Sequence, residues 1–313
     1  MPLEPRKPPI ETIHGLRPPL AGFPYFANAD RFPFEPGASA DSPVNAWWLA
    51  DASFLVYGSA DFVEDALVRS PVPNLGFRLD WLGGPEENRG LILRNEASLI
   101  VVFRGTRLHV HNLMDVAELV IINQSDFWID SQFLPAVCQV GGRVHSGFLK
   151  AFADVSERLD ALLKAKPPGQ KVWLTGHSLG GALATLAAAH LGRDAVQGLY
   201  TYGCPRVGDV KFTRALPGTS HFRFVHRQDW VVDQPPEFLG YVHAGSLRQL
   251  PGAPPRRLLD DLRSGAEGVT TALRAMAKEM RVKVGDLPFT ISGLADHMPI
   301  HYATHLWNAL VTQ

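Results

Sequence analysis

The chain of 313 residues has only two cysteines, Cys138 and Cys204. Two thiols build neither a disulfide framework nor a cysteine-rich metal cluster, so each reads as a small apolar residue, with a single disulfide left open. An excess of charge of one sign is also missing: 30 basic residues face 31 acidic ones, for a formal net charge of −1. This balance offers no basic field for nucleic acid and no polybasic anchor for an anionic membrane. The first thirty residues hold seven prolines and no continuous apolar run. No secretory signal is therefore expected, and the compartment stays open between the cytoplasm and a processed secreted form. Residues 172–192 lack Asp, Glu, Lys and Arg over a length that could span a bilayer. Four glycines, together with Thr175, His177, Ser178, Thr185 and His190, interrupt that stretch. A buried strand, a turn and a buried helix explain it better, and no transmembrane segment is expected.

What is present suits one elaborated globular domain. Apolar residues make up 46% of the chain and charged residues 19%, enough for a large core and too apolar for disorder. Residues 1–41 are rich in Pro, Phe and Gly and read as an arm or loop over the domain surface. Ser42-Pro43 signals a helix start, a cap followed by a first-turn proline, and Trp48, Leu49, Ala52, Leu55 and Val56 continue it at helical spacing. A shorter helix is predicted around 62–68, and strands over 75–82 and 90–95. Leu99 to Phe103 is a continuous apolar run, as in a central strand covered on both faces. Phe148, Phe152, Val155, Leu159 and Leu162 mark one face of a long amphipathic helix ending before Pro167. Residues 198–202 and 222–225 read as further strands, residues 246–290 as a helical insertion, and a last helix follows His297. Alternating strands and helices predict an α/β fold: a central, mostly parallel sheet with helices on both faces.

The chemistry centres on residues 171–183. Val172 to Thr175 reads as a strand and Ala182 to Leu191 as a helix; between them lies Gly176-His177-Ser178-Leu179-Gly180. A G-x-S-x-G turn between strand and helix holds a serine hydroxyl exposed above a sheet, and the helix start aims free N–H groups at developing negative charge. Ser178 is thus the candidate nucleophile. A serine needs a base, and the base an orienting carboxylate, which in this arrangement follow in the order acid, then histidine. Asp229, where a strand runs into a loop, is the candidate acid, with Asp209 and Asp233 as rivals. Among the downstream histidines, His226 and His243 flank the acid's own loop, His297 sits before the final helix, and His301 is the fallback. Leu179 is expected to supply one oxyanion N–H, and Thr106, in Phe103-Arg104-Gly105-Thr106 at the end of the apolar strand, the second. A metal site from His109, His111 and His145 has no accompanying acid or cysteine at a specific spacing, and no metal or cofactor is assigned.

Several ordered blocks resemble the class 3 (fungal-type) lipase family of α/β-hydrolases. They are Val102 to Thr106, Asn112-Leu113-Met114-Asp115, Val144 to Phe148, Thr175 to Gly181, Thr201 to Gly208, His226 to Asp229 followed by Pro235-Pro236, and Asp296-His297 before Tyr302. The resemblance covers roughly 45–310 and departs at Leu113 and Val232, where the family often has tryptophan and proline. It implies Ser178 as nucleophile, Asp229 as acid, His297 as base, and Thr106 with Leu179 as oxyanion donors. It also implies a lid within about 107–143 and hydrolysis of lipid esters, with triacylglycerol as the leading substrate. Phospholipase, galactolipase and short-chain or feruloyl-type esterase activities are the alternatives. A non-catalytic lipase-like binding protein would be expected to have lost a triad group, and none is lost.

Overall fold

The computed structural model describes residues 3–10, 12–83, 89–106, 135–192, 194–216, 218, 220–250 and 292–312. The apolar part of the expected lid, and all but the first five residues of the expected insertion, lie outside them.

The elements follow the sequence signals closely. Helix α1 (Pro43–Leu55) starts on Ser42, whose hydroxyl accepts the Asn45 N–H at 3.1 Å, and Pro43 fills the first turn, where no N–H is needed. Helix α2 is Ala60–Val68. Strands β1 (Arg78–Leu82), β2 (Gly90–Arg94) and β3 (Ser98–Phe103) pair antiparallel in turn. A small hairpin, β4 (Pro135–Val137) with β5 (Arg143–His145), leads into α3 (Ser146–Ala165). Then come β6 (Lys171–His177), α4 (Leu179–Leu191), β7 (Gly198–Tyr202), α5 (Val210–Ala215), β8 (Ser220–His226) and β9 (Ser246–Leu250). The chain closes with α6 (Ser292–His297) and α7 (Pro299–Val311). Among the described residues the main sheet runs β1-β2-β3-β6-β7-β8-β9, parallel from β3 onward.

Strand side chains alternate between faces. Ile100, Val102, Trp173, Tyr200 and Tyr202 therefore join the core cluster under α1 and α7, while Leu99, Val101, Phe103, Leu174 and Leu199 join the one under α3 and α4. The face of α3 buries Phe148, Phe152, Val155, Leu159 and Leu162, the stripe read from its periodicity. Both cysteines are free and buried.

Two segments differ from expectation. The region expected as a helical insertion from 246 opens instead with β9, paired parallel to β8; its side chains are mostly exposed, so the edge strand lacks an apolar alternation. The N-terminal arm is anchored rather than draped. Leu16, Tyr25, Phe26 and Phe34 are all in the core, and Phe34 stacks edge-on against Trp48 and Trp173.

The register sets up the site. Phe103 pairs with Gly176, His177 with Tyr202, and Tyr202 with Phe224, so the carboxyl ends of β3, β6, β7 and β8 lie side by side. Loops leaving those ends share one edge of the sheet, where ligands of open α/β sheets bind.

Candidate active site

Ser178 sits between β6 and α4 with φ 59° and ψ −129°. A non-glycine residue held there is strained by about 1–3 kcal/mol, and its surroundings must over-determine it. They do. The Ser178 N–H donates to the Tyr202 carbonyl at 2.9 Å, and its own carbonyl accepts from the Gly181 N–H at 2.9 Å. A Cβ on Gly176 would stand 2.3 Å from the Gly180 carbonyl carbon, and one on Gly180 would stand 2.2 Å from the Phe103 carbonyl oxygen. Only glycine lets the turn close and lets the end of β3 approach the first turn of α4. That approach brings the Phe103–Thr106 loop against the helix start at Leu179, with Thr106 exposed and Leu179 half-buried.

Asp229 follows β8 and is almost fully buried. Its Oδ1 accepts from the Val231 N–H at 3.0 Å; its Oδ2 accepts from His297 Nδ1 at 2.8 Å and from the Tyr302 hydroxyl at 2.5 Å. A carboxylate only accepts, so His297 carries its proton on Nδ1 and keeps the Nε2 lone pair. His297 ends α6, with Met298 alone between it and α7, rather than lying in a loop. The ring of His177, the residue before Ser178, lies 4.4 Å from the His297 ring. Gly203, directly after the Tyr202 that holds the Ser178 N–H, closes the group: a Cβ there would stand 2.6 Å from Asp229 Oδ2 and 2.9 Å from His297 Nδ1. Serine, histidine and carboxylate thus share one corner of the sheet edge.

A second line of hydrogen bonds was not apparent from motifs. Gly105 packs so tightly on the Tyr57 hydroxyl that a Cβ there would stand 2.2 Å from its oxygen; Tyr57 bonds to His177 Nδ1 at 2.9 Å, and His177 Nε2 donates to the His297 carbonyl at 2.6 Å. Burial, helped by the neighbouring His297, pushes the His177 imidazole well below its usual pKa, so it stays neutral. Burial also raises the Tyr57 phenol, which stays a donor. One neutral tautomer therefore links the Tyr57 hydroxyl to the backbone of His297. Tyr57 follows α1 with no motif around it, and its contact with His177 spans 120 residues.

The rivals have other partners. Asp209 Oδ1 caps α5, accepting the Phe212 N–H at 2.8 Å. Asp233 pairs with Arg206 at 3.2 Å and is exposed. His145 caps α3 through the Phe148 N–H, and burial lowers its pKa to about 4. His109 and His111 lie outside the described residues. His226 and His301 stack on each other, with ring centres 4.6 Å apart. His243 is half-buried, and burial together with Arg223 and Arg206 lowers its pKa to about 3.

Residues 100–239 match the family model for class 3 lipases. A secreted mono- and diacylglycerol lipase 1 of Fusarium solani is 38% identical over 141 residues, which cover 42% of this chain and 42% of that protein. A lipase of Rhizomucor miehei is 35% identical over 163 residues, 48% of this chain and 41% of that one. The chain spans about two-fifths of the length of these curated relatives. One solved structure, described as a triacylglycerol lipase whose catalytic centre is a serine protease triad, aligns with TM-score 0.52 and 24% identity over 69% of this chain and 83% of that chain, a likeness of fold. The α/β-hydrolase sheet, the serine elbow and the matched region together make this chain similar to the class 3 (fungal-type) lipase family.

Proposed function

We propose that the protein is a serine carboxylic-ester hydrolase acting on lipid esters, with triacylglycerols as the leading substrate. The observation that carries this reading is the buried His297–Asp229 pair beside a strained, half-exposed Ser178. His297 Nε2 takes the proton of Ser178 Oγ as that oxygen attacks the ester carbonyl. Asp229 holds the imidazolium that forms, and the backbone N–H groups of Leu179 and Thr106 receive the oxyanion. Collapse of the intermediate passes the proton to the departing alcohol and leaves an acyl group on Ser178. Water, activated by the same histidine, then releases the fatty acid. Near-neutral charge and the apolar residues of 113–134 support an uncharged, chain-bearing substrate met at a lipid surface. No described helix is long and apolar enough to cross a membrane. The Fusarium solani relative is secreted by its name, which supports a secreted site of action here.

The test is hydrolysis of p-nitrophenyl esters of increasing acyl length by the full chain and by Ser178→Ala. Activity should rise toward long chains and fall by about 10⁴-fold or more in the variant, with an unchanged melting curve. Activity confined to short chains would move the substrate to small esters, and comparable activity in the variant would remove Ser178 as nucleophile.

A further inference from the structure

Beside the catalytic corner lies a second group of histidines that the ester chemistry does not use. His226 ends β8; His301 and His305 stand one turn apart on α7, the spacing that puts two side chains on the same helix face. One ring nitrogen from each lies within 4.8 Å of the other two. The His226 ring centre is 4.6 Å from that of His301 and 4.7 Å from that of His305. His226 and His301 are 0% and 4% exposed. Their Nε2 atoms are both buried and have no hydrogen-bond partner among the described residues. Leaving two such atoms unpaired in one place costs about 1–3 kcal/mol each.

The surroundings prepare His226 as a ligand. Its Nδ1 donates to the Asp296 carbonyl at 3.0 Å, which fixes the tautomer and leaves the Nε2 lone pair for another partner. The Asp296 carboxylate lies 3.8 Å from the same ring and 3.9 Å from Arg227, whose positive charge it offsets. His305 is half-buried, so the trio opens to solvent on one side.

We propose that His226, His301 and His305 bind one Zn²⁺ ion, with water in a fourth position on the His305 side. Three imidazoles and no oxygen donor suit a borderline transition cation and not Mg²⁺ or Ca²⁺. Bond lengths of about 2.0–2.1 Å place tetrahedral ligand atoms roughly 3.4 Å apart, so the rings draw inward by about an ångström on binding. Burial holds the pKa of His226 near 4 and of His301 near 3, so neither need lose a proton first. The ion would join the end of β8, three residues before Asp229, to the helix carrying Tyr302, which already accepts the His226 N–H at 3.2 Å. Its role is a clamp that holds the acid's strand against the C-terminal helix. This inference stands apart from the reading of Ser178.

The experiment titrates the full chain, stripped with chelator, with ZnCl₂ by calorimetry and by metal analysis after dialysis. Co²⁺ absorption reports the ligand geometry. Expected are one ion per chain at micromolar or tighter affinity, the intense visible bands of four-coordinate Co²⁺, and a higher Tm. His305→Ala, at a half-exposed position that tolerates truncation, should weaken binding by at least about tenfold and remove the Tm rise. His190→Ala, which alters a surface imidazole paired with Asp160, should leave both unchanged. No uptake at one ion per chain, uptake that survives His305→Ala, or six-coordinate Co²⁺ spectra would each overturn the proposal.

Discussion

Asp209 and Asp229 both follow a parallel strand, and both accept a backbone N–H two or three residues on. What separates them is the second carboxylate oxygen. That of Asp229 meets His297 and Tyr302, so its charge bears on the His297 imidazole as well as on its own turn. Asp229→Asn removes the charge and reverses the hydrogen-bond demand on His297 Nδ1, and should lower kcat by about 10⁴-fold. Asp209→Asn should leave kcat within a few-fold, and Asp209→Ala should cost about 1 kcal/mol of stability through the lost helix cap. Steady-state kinetics with urea unfolding of the three variants decides between these roles; a larger kinetic loss at Asp209 would move the acid.

At the scale of elements, the N-terminal segment is held by Arg6. Its guanidinium grips Asp51 of α1 with two bonds of 2.6 and 2.7 Å, and it also donates to the carbonyls of Ala303 on α7 and Pro24, each at 2.9 Å. Asp51 is fully buried, and its other contacts include the Phe26 N–H at 2.8 Å. An exposed pair of this kind would contribute about 0–1 kcal/mol. Removing one partner of a buried pair leaves the other charge without compensation, at a cost of about 3–5 kcal/mol. Arg6→Ala should therefore lower the unfolding free energy by that amount, and adding Asp51→Ala should cost less than the two single changes summed. A loss under about 0.5 kcal/mol for Arg6→Ala would mean that the segment merely drapes over the surface.

Across the whole molecule, the buried histidines set a lower limit on pH. His145 has its pKa lowered to about 4, and His177 lies well below its usual value, both through burial. Half-buried His221 and His243 are each lowered to about 3 by burial and by Arg223. The unfolded chain takes up protons at these sites below about pH 6.5, while the folded chain does not, so stability falls as pH drops. Each fully buried imidazole that stays neutral removes about 1.4 kcal/mol per pH unit in that window. For His145 the loss levels off near pH 4, where the folded state also binds its proton. The urea midpoint should decline steadily from pH 7 to pH 5; a flat profile would show that these rings are charged in the folded protein.

Local physics alone determined a good deal of this protein. Alternation and helical spacing depend only on near neighbours, so the sequence by itself placed β3, the buried stripe of α3, the Ser42 cap and the elbow that presents Ser178. The choice of Asp229 over Asp209, and of His297 among the downstream histidines, rested on a resemblance between motifs, because nothing local distinguishes them. Tertiary structure decided the rest. The core position of Tyr25 and Phe26 depends on Asp51 and α1, the edge strand β9 on β8, and the Tyr57–His177 link on α1 packing against β6. The meeting of His226 with His301 and His305 needs α7 to pack against the end of β8. Each is a contact between residues far apart in the chain, brought together by the sheet register and by which face of each helix is apolar, and no local pattern encodes it.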